Sequence, residues 1–397
     1  MRSLALLVTA LLLPAATSAQ PLLTAYRAPA PPRIDGDLSD PAWQSACTTS
    51  PFILATDAAL PEEQTIARAC FDDERLYLGI EAMEGALAPA LNMLEMVRAQ
   101  QTVRDANVFS DDCVEIFLQP PGGDYYHLAV NSIGTLYDAR DQGAPWDGDC
   151  VVAARRGDGG YTVELSVSFA SLGASPAGEW RANFGRERTA VVEQSTWSGL
   201  QGAFHQPGQF GELRFATAGP AITRADMAIG PDRLLLHAIV GGAADGATEL
   251  RGALASGDQT TTAAAAGPGE HTLALTFPAA VQETGRVAAS FELAQGDATV
   301  QRSAAIPMTV AAGVARLSVE ATNARVEAFV GGDPVALADG AADLSLEPGL
   351  NVIALRATAE GDAPALRPEI SSGGRALPVA WLRRTEQPAD GWLSALD

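Results

Sequence analysis

Short apolar runs, each closed by Gly, Pro or Asp, are the feature that most constrains this chain. Thr65 to Phe71 and Leu76 to Ile80 read as two strands of a hairpin around Asp72-Asp73-Glu74. In Val114 to Leu118 the period of two sends Cys113, Glu115 and Phe117 one way and Val114, Ile116 and Leu118 the other. Tyr125 to Asn131 is a further strand, turned at Ile133-Gly134-Thr135. Val151 to Arg155 and Tyr161 to Phe169 form a hairpin bent at Gly157-Asp158-Gly159-Gly160. Only Leu87 to Arg104 carries helix spacing, with Leu91, Leu94, Met96 and Val97 on one side and Pro89 near its start. The expectation is an all-β chain: an N-terminal β-sandwich followed by two smaller sandwiches.

The character of the chain changes near Ala218, where cysteines stop and Ala, Gly and Thr become frequent. Leu234 to Val240, Leu273 to Phe277, Val287 to Leu293 and Ala298 to Val310 alternate like sandwich strands. This predicts an immunoglobulin-like unit over 221–311, a joint at Ala312-Gly313 and a third unit over 315–397. The third unit opens on a strand, Val326 to Val330, with a tight turn at Gly331-Gly332-Asp333, and holds Trp381 and Trp392 near its end.

Compartment follows from the first residues. Met1-Arg2 is a basic start, Leu4 to Leu13 is an apolar run of signal-peptide size, and small residues lead to Ala19. Residues 1–19 therefore read as a signal peptide, and the mature chain as exported, to the periplasm or outside the cell. The run is shorter than the ~20 residues a membrane helix needs. A net charge of -22 argues against nucleic acid and anionic membrane partners. The chain has no lysine. Four cysteines in an exported chain read as disulfides. Three pairings exist; Cys47–Cys70 and Cys113–Cys150 are favoured because each joins segments that read as neighbouring strands. No short Cys-x-x-Cys spacing supports a zinc site.

An ordered set of short motifs runs through the first half. Ile34-Asp35-Gly36-Asp37-Leu38-Ser39-Asp40-Pro41-Ala42-Trp43 comes first, then Asp72-Asp73-Glu74-Arg75-Leu76-Tyr77-Leu78. Asp111-Asp112-Cys113-Val114-Glu115-Ile116-Phe117-Leu118 follows. Trp180-Arg181-Ala182-Asn183-Phe184-Gly185-Arg186 and Phe210-Gly211-Glu212-Leu213 close it. The set, over about residues 25–217, resembles carbohydrate-binding module family 9, a sugar-binding β-sandwich usually attached to larger secreted proteins. The resemblance implies two aromatic clamps, here Phe109 and Phe204, with Glu115 and Asn131 as polar ligands. The family's arginine position is Ala129 here, and both clamps are Phe instead of Trp. Trp146 and Trp197, among polar neighbours, join the candidate list; Trp43 and Trp180 read as core. A second resemblance, of Pro348-Gly349-Leu350-Asn351-Val352-Ile353-Ala354-Leu355 to galactose-binding-like jelly rolls, covers one stretch.

Asp35, Asp37 and Asp40, with Asp72 and Asp73, are the candidates for a structural calcium, against an ordinary role in capping turns. No Gly-x-Ser-x-Gly elbow, phosphate loop or His-Glu-x-x-His helix is present. Asp112 and Glu115 face opposite ways, which does not suit a glycosidase pair. Sandwiches of this kind also resemble haem-binding electron-transfer domains, for which Met83, Met93, Met96 and His127 would be the ligand candidates. His127 and His205 have no second His at metal spacing. The expected function is non-catalytic binding of an oligo- or polysaccharide, with a glycoside hydrolase as partner and polysaccharide breakdown as the setting. The competing classes are a haem domain and a structural scaffold.

Overall fold

The computed structural model describes residues 20–376, apart from 85–96, 158, 231, 243–246, 282–284, 311–312, 347–350, 361, 363 and 373–374. The chain is built almost wholly of strands. The signal peptide, Met93, Met96, the Pro348-Gly349-Leu350 turn, Trp381 and Trp392 lie outside the described residues.

The first sandwich uses β1 (Leu22–Arg27), β2 (Ile53–Leu54), β3 (Thr65–Phe71), β4 (Arg75–Met83), β5 (Cys113–Gln119), β6 (Tyr126–Asn131) and β7 (Leu136–Arg140). It continues with β8 (Ala144–Pro145), β9 (Cys150–Gly157), β10 (Gly160–Ser168), β11 (Trp180–Arg188), β12 (Glu193–Thr196) and β13 (Gly211–Ala216). One sheet runs β9-β10-β4-β3 and the other β13-β11-β5-β6-β7. Strand β1 belongs to both, parallel to β13 along Leu22 to Tyr26 and parallel to β3 at Tyr26 and Arg27. Alternation drives the packing: Leu76, Leu78 and Ile80 of β4, Val114, Ile116 and Leu118 of β5, and Val163, Leu165 and Val167 of β10 meet in one inter-sheet core. Each such side chain contributes roughly 1.5–3 kcal/mol on burial.

A second group of strands follows: β14 (Pro220–Ile229), β15 (Arg233–Gly242), β16 (Thr248–Ser256), β17 (Gln259–Ala266), β18 (Gly269–Thr276), β19 (Arg286–Gln295), β20 (Ala298–Arg302) and β21 (Ile306–Thr309). The sheet β14-β15-β18 encloses a core with β17-β16-β19 and the strands beside β19, through Leu236, Leu250, Leu254, Leu275, Phe291 and Ile306. A third, smaller core gathers Leu317, Ala328, Leu344 and Ile370 from strands between Gly313 and Ser372. The first two groups are sewn together. Leu22 of β1 bridges Arg302 of β20. Gln301 donates to the Thr48 carbonyl at 2.6 Å and accepts from the Ile222 N–H at 2.9 Å. The Thr24 hydroxyl donates to the Val300 carbonyl.

Two expectations are corrected. All four cysteines are free thiols. Cys47 lies in the inter-sheet core with Ala67 and Ala69, whereas Cys70 packs on the outer side of β3 against Trp43 and Tyr77. Cys113 sits opposite Asn131 and Glu187 in the second sheet, and Cys150 lies on β9 in the first. Neighbouring strands thus place the paired residues on different faces or sheets, where no bridge can close. The described part of the expected helix, 97–104, is not helical. Its backbone N–H groups are held from outside: Arg98 donates to Asp112, and Gln100 and Gln101 donate to Asp111.

Candidate functional site

The outer face of the second sheet collects the chemistry. Strand alternation presents Glu115 and Phe117 from β5 and His127 and Ala129 from β6 on this side. Gly185 and Glu187 of β11 lie beside them, Gly185 directly opposite Glu115. Segment 197–210 covers one flank. Phe204 lies flat on Gly185, where an added Cβ would come within 2.6 Å of the ring. A short helical turn, Val108–Ser110, brings Phe109 over the other flank.

The rings form one continuous stack. Phe117 lies parallel to His127, with centroids 4.3 Å apart and planes at 7°. Phe109 stacks on His127 at 5.5 Å and meets Tyr137 edge-on at 5.0 Å. His205 stands perpendicular to His127 at 4.8 Å, and the Tyr125 hydroxyl lies 2.8 Å from its Nδ1. Phe109, Tyr137 and His205 stay partly exposed; Phe204, Phe117 and Tyr125 are buried.

Beneath the rings is a proton-sharing group. His127 Nε2 lies 2.8 Å from Glu115 Oε2, both side chains buried. Glu187 stands diagonally beside Glu115 on the same face, and its carboxyl accepts from Gln194 Nε2 at 2.6 Å. Burial pushes Glu115 up to about 7. Burial, then the charge of Glu115, pushes Glu187 up to about 8. Two acids this close do not readily ionise together, so each raises the cost of charging the other. Burial holds His127 down to about 3, so the ring is neutral. Burial and His127 also lower His205. Among the described residues no arginine pairs with either carboxyl; Arg186 and Arg188 lie on the opposite face of β11, bound to Glu84.

Residues 90–158 match the model of carbohydrate-binding family 9. The chain carries a family 9-like domain. Among solved structures, a putative carbohydrate-binding protein from Bacteroides uniformis ATCC 8492 is 19% identical, over 50% of this chain and 100% of its own, with a TM-score of 0.40. A family 9 module from Caldicellulosiruptor kristjanssonii in complex with cellotriose is 18% identical, over 49% and 94%, with a TM-score of 0.38. No curated protein matches the chain.

The family 9-like domain gathers three of the sequence candidates, Phe109, Glu115 and Phe204, on one face, though in unequal roles. Phe204 is buried against Gly185 and serves as a floor. Asn131 is fully buried and its amide is spent: Nδ2 donates to Gln101 O and Asp111, and Oδ1 accepts from Ile133 and Thr135. It positions the segment leading to Phe109 and leaves nothing for a ligand. Trp197 is a core residue against Phe184, 1% exposed. Trp146 packs on Tyr126, whose side chain points to the inter-sheet core, away from His127. Sequence reading missed Glu187, Tyr137 and the convergence of His127 with His205. Only the period of two across β5 and β11 could have placed Glu187 beside Glu115.

The acidic turns bind their own backbone. Asp35 accepts from Asp37 N, Asp37 from Ser39 N, Asp40 from Arg33 N, and Asp72 from Glu74 N, Arg75 N and the Tyr77 hydroxyl. Asp73 pairs with Arg27. No group of three metal-ligating side chains occurs among the described residues. Met83, the haem candidate that is described, lies on β4 of the first sheet, whereas His127 is on the outer face of the second and bonded to Glu115.

Proposed function

We propose that the family 9-like domain binds an oligo- or polysaccharide on the outer face of its second sheet, without catalysis. The observation that carries this reading is the family match over 90–158, the stretch that supplies Phe109, Glu115, His127 and Tyr137. Phe109 is the stacking platform, because sugar rings pack on aromatic faces. Tyr137, His205 and Glu187 are the half-buried polar groups within reach of hydroxyls. The wider reading is an exported protein, cleaved after residue 19, that holds a glycan for a partner hydrolase during polysaccharide breakdown. In it 25–217, 221–311 and 315–397 are separate units, the last two presenting the first.

A glycan array and calorimetric titration on the full mature chain test this. Binding that Phe109→Ala weakens by about tenfold or more, the scale of one aromatic stacking contact, is the expected result. Absence of binding to every mono-, oligo- and polysaccharide would overturn the reading. A pull-down that recovers a protein partner while no glycan binds would favour the scaffold class.

A further inference from the structure

We propose that the outer face takes internal units of single, soluble polysaccharide chains, and takes neither chain ends nor crystalline surfaces. The inference rests on the sugar-binding reading above and names the kind of saccharide that the site admits.

A two-ring grip on a terminal sugar needs a gap between the rings, and here that gap is filled. Phe204 and Phe109 stand at the two ends of one row of rings. Phe204 meets Phe117 edge-on at 6.3 Å, Phe117 lies parallel to His127 at 4.3 Å, and His127 stacks on Phe109 at 5.5 Å. Phe117 and His127 are both buried, so no sugar ring enters between the ends of the row. Phe204 has no face to offer either. Gly185 backs it, and it shares a closed apolar cluster with Ala55, Leu200 and Phe210. The two rings that the sequence marks as clamps are therefore a floor and a platform.

The platform is one face of one ring. His127 occupies the other face of Phe109, which stays partly exposed. One aromatic contact of this kind is worth roughly two- to tenfold in affinity beyond the area it buries. A single sugar held this way binds weakly. Useful affinity has to come from further units of the same chain along the face, or from several copies of the protein on one polymer. The borders let a chain run on. Asp105, Asn107 and Ser110 beside Phe109 are exposed, as are Gly143, Ala144 and Pro145 next to Tyr137.

Ring orientation narrows the ligand further. Tyr137, the second partly exposed ring, meets Phe109 at 71° with centroids 5.0 Å apart. A crystal face presents its sugar rings in one plane and needs coplanar aromatic faces to receive them. Faces inclined this steeply suit a separate chain that turns from one unit to the next.

Calorimetric titration of the full mature chain with ladders of gluco-, xylo- and manno-oligosaccharides, from one to six units, tests this. Affinity should rise about tenfold or more from the single sugar to the longest member of the ladder that binds. Borohydride reduction of that member's end should leave its affinity unchanged. Microcrystalline cellulose and chitin should retain none of the protein. Phe204→Leu, which keeps an apolar floor, should bind like the wild type. A single sugar that binds as tightly as the longest oligomer, or loss of binding on reducing the end, marks an end grip and overturns the inference while the sugar-binding reading stands. Retention on either crystal overturns it too, and so does a folded Phe204→Leu chain that loses binding. Should that variant fail to fold, the wild-type ladder decides alone. A chain that binds no saccharide overturns both readings.

Discussion

Each sheet of the first sandwich carries a glutamate in the middle of an apolar strand, and the two have opposite fates. Glu164 of β10 is fully buried and accepts three N–H groups: Asp35 N at 2.8 Å, Gly36 N at 2.6 Å and Trp43 Nε1 at 2.7 Å. It is a carboxylate with donors on every side, a clasp on the Ile34–Trp43 segment. Glu115 of β5 is buried to a similar degree but faces another acid and an imidazole. Burial raises both above the usual carboxyl range, yet only around Glu164 do backbone N–H groups pull against it. An acid inside a strand is thus a structural pin or a titrating centre according to the donors that surround it.

The comparison breaks most readily at Glu164. Removing it strands three donors, two of them buried, so Glu164→Ala should cost about 3–5 kcal/mol in urea unfolding at neutral pH, the scale of breaking a buried charged partner. A loss below about 1 kcal/mol, the level of one ordinary hydrogen bond, would show that the clasp is not structural. Replacing the titrating acid is milder. Glu115→Gln should reduce the decline in thermal midpoint between about pH 6 and pH 9 by about 2–4 °C, roughly 1 kcal/mol for a chain of this size. Stability in acid should move the other way, because neutral His127, held down to about 3, favours the fold above pH 6.5 and loses that contribution as pH falls toward 3. Phe109→Ala, at a half-buried ring, should change stability by about 1 kcal/mol or less while it weakens glycan binding. The smallest effect is that of a reductant. With four free thiols, dithiothreitol should shift the midpoint by less than about 1 °C, since no cross-link is removed. A count of four titratable thiols in denaturant checks it.

The strand pattern was legible because alternation is local. The β3–β4 and β9–β10 hairpins sit where Asp72-Asp73-Glu74 and Gly157 to Gly160 predict them. The two faces of β5 divide as its period of two requires. What was not legible depends on partners far along the chain. Glu164 reaches back 121 residues to Trp43, and Asn131 spends its amide on a segment 20 to 30 residues earlier. Phe204 and Phe109 read alike in sequence, but Gly185 supplies a flat floor for one and the other stays half-exposed. The disulfide expectation failed for the same reason: proximity in sequence says which strands are neighbours, not which faces their cysteines share.

Strand β1 and its contacts with β20 carry a mechanical consequence. Leu22 is bonded at once to the first sandwich and, through Arg302, to the second, and Gln301 ties both to the loop at Thr48. A hinge between the two units would have to break buried polar contacts of both. The second unit is therefore a fixed bracket that sets the bearing of the aromatic face.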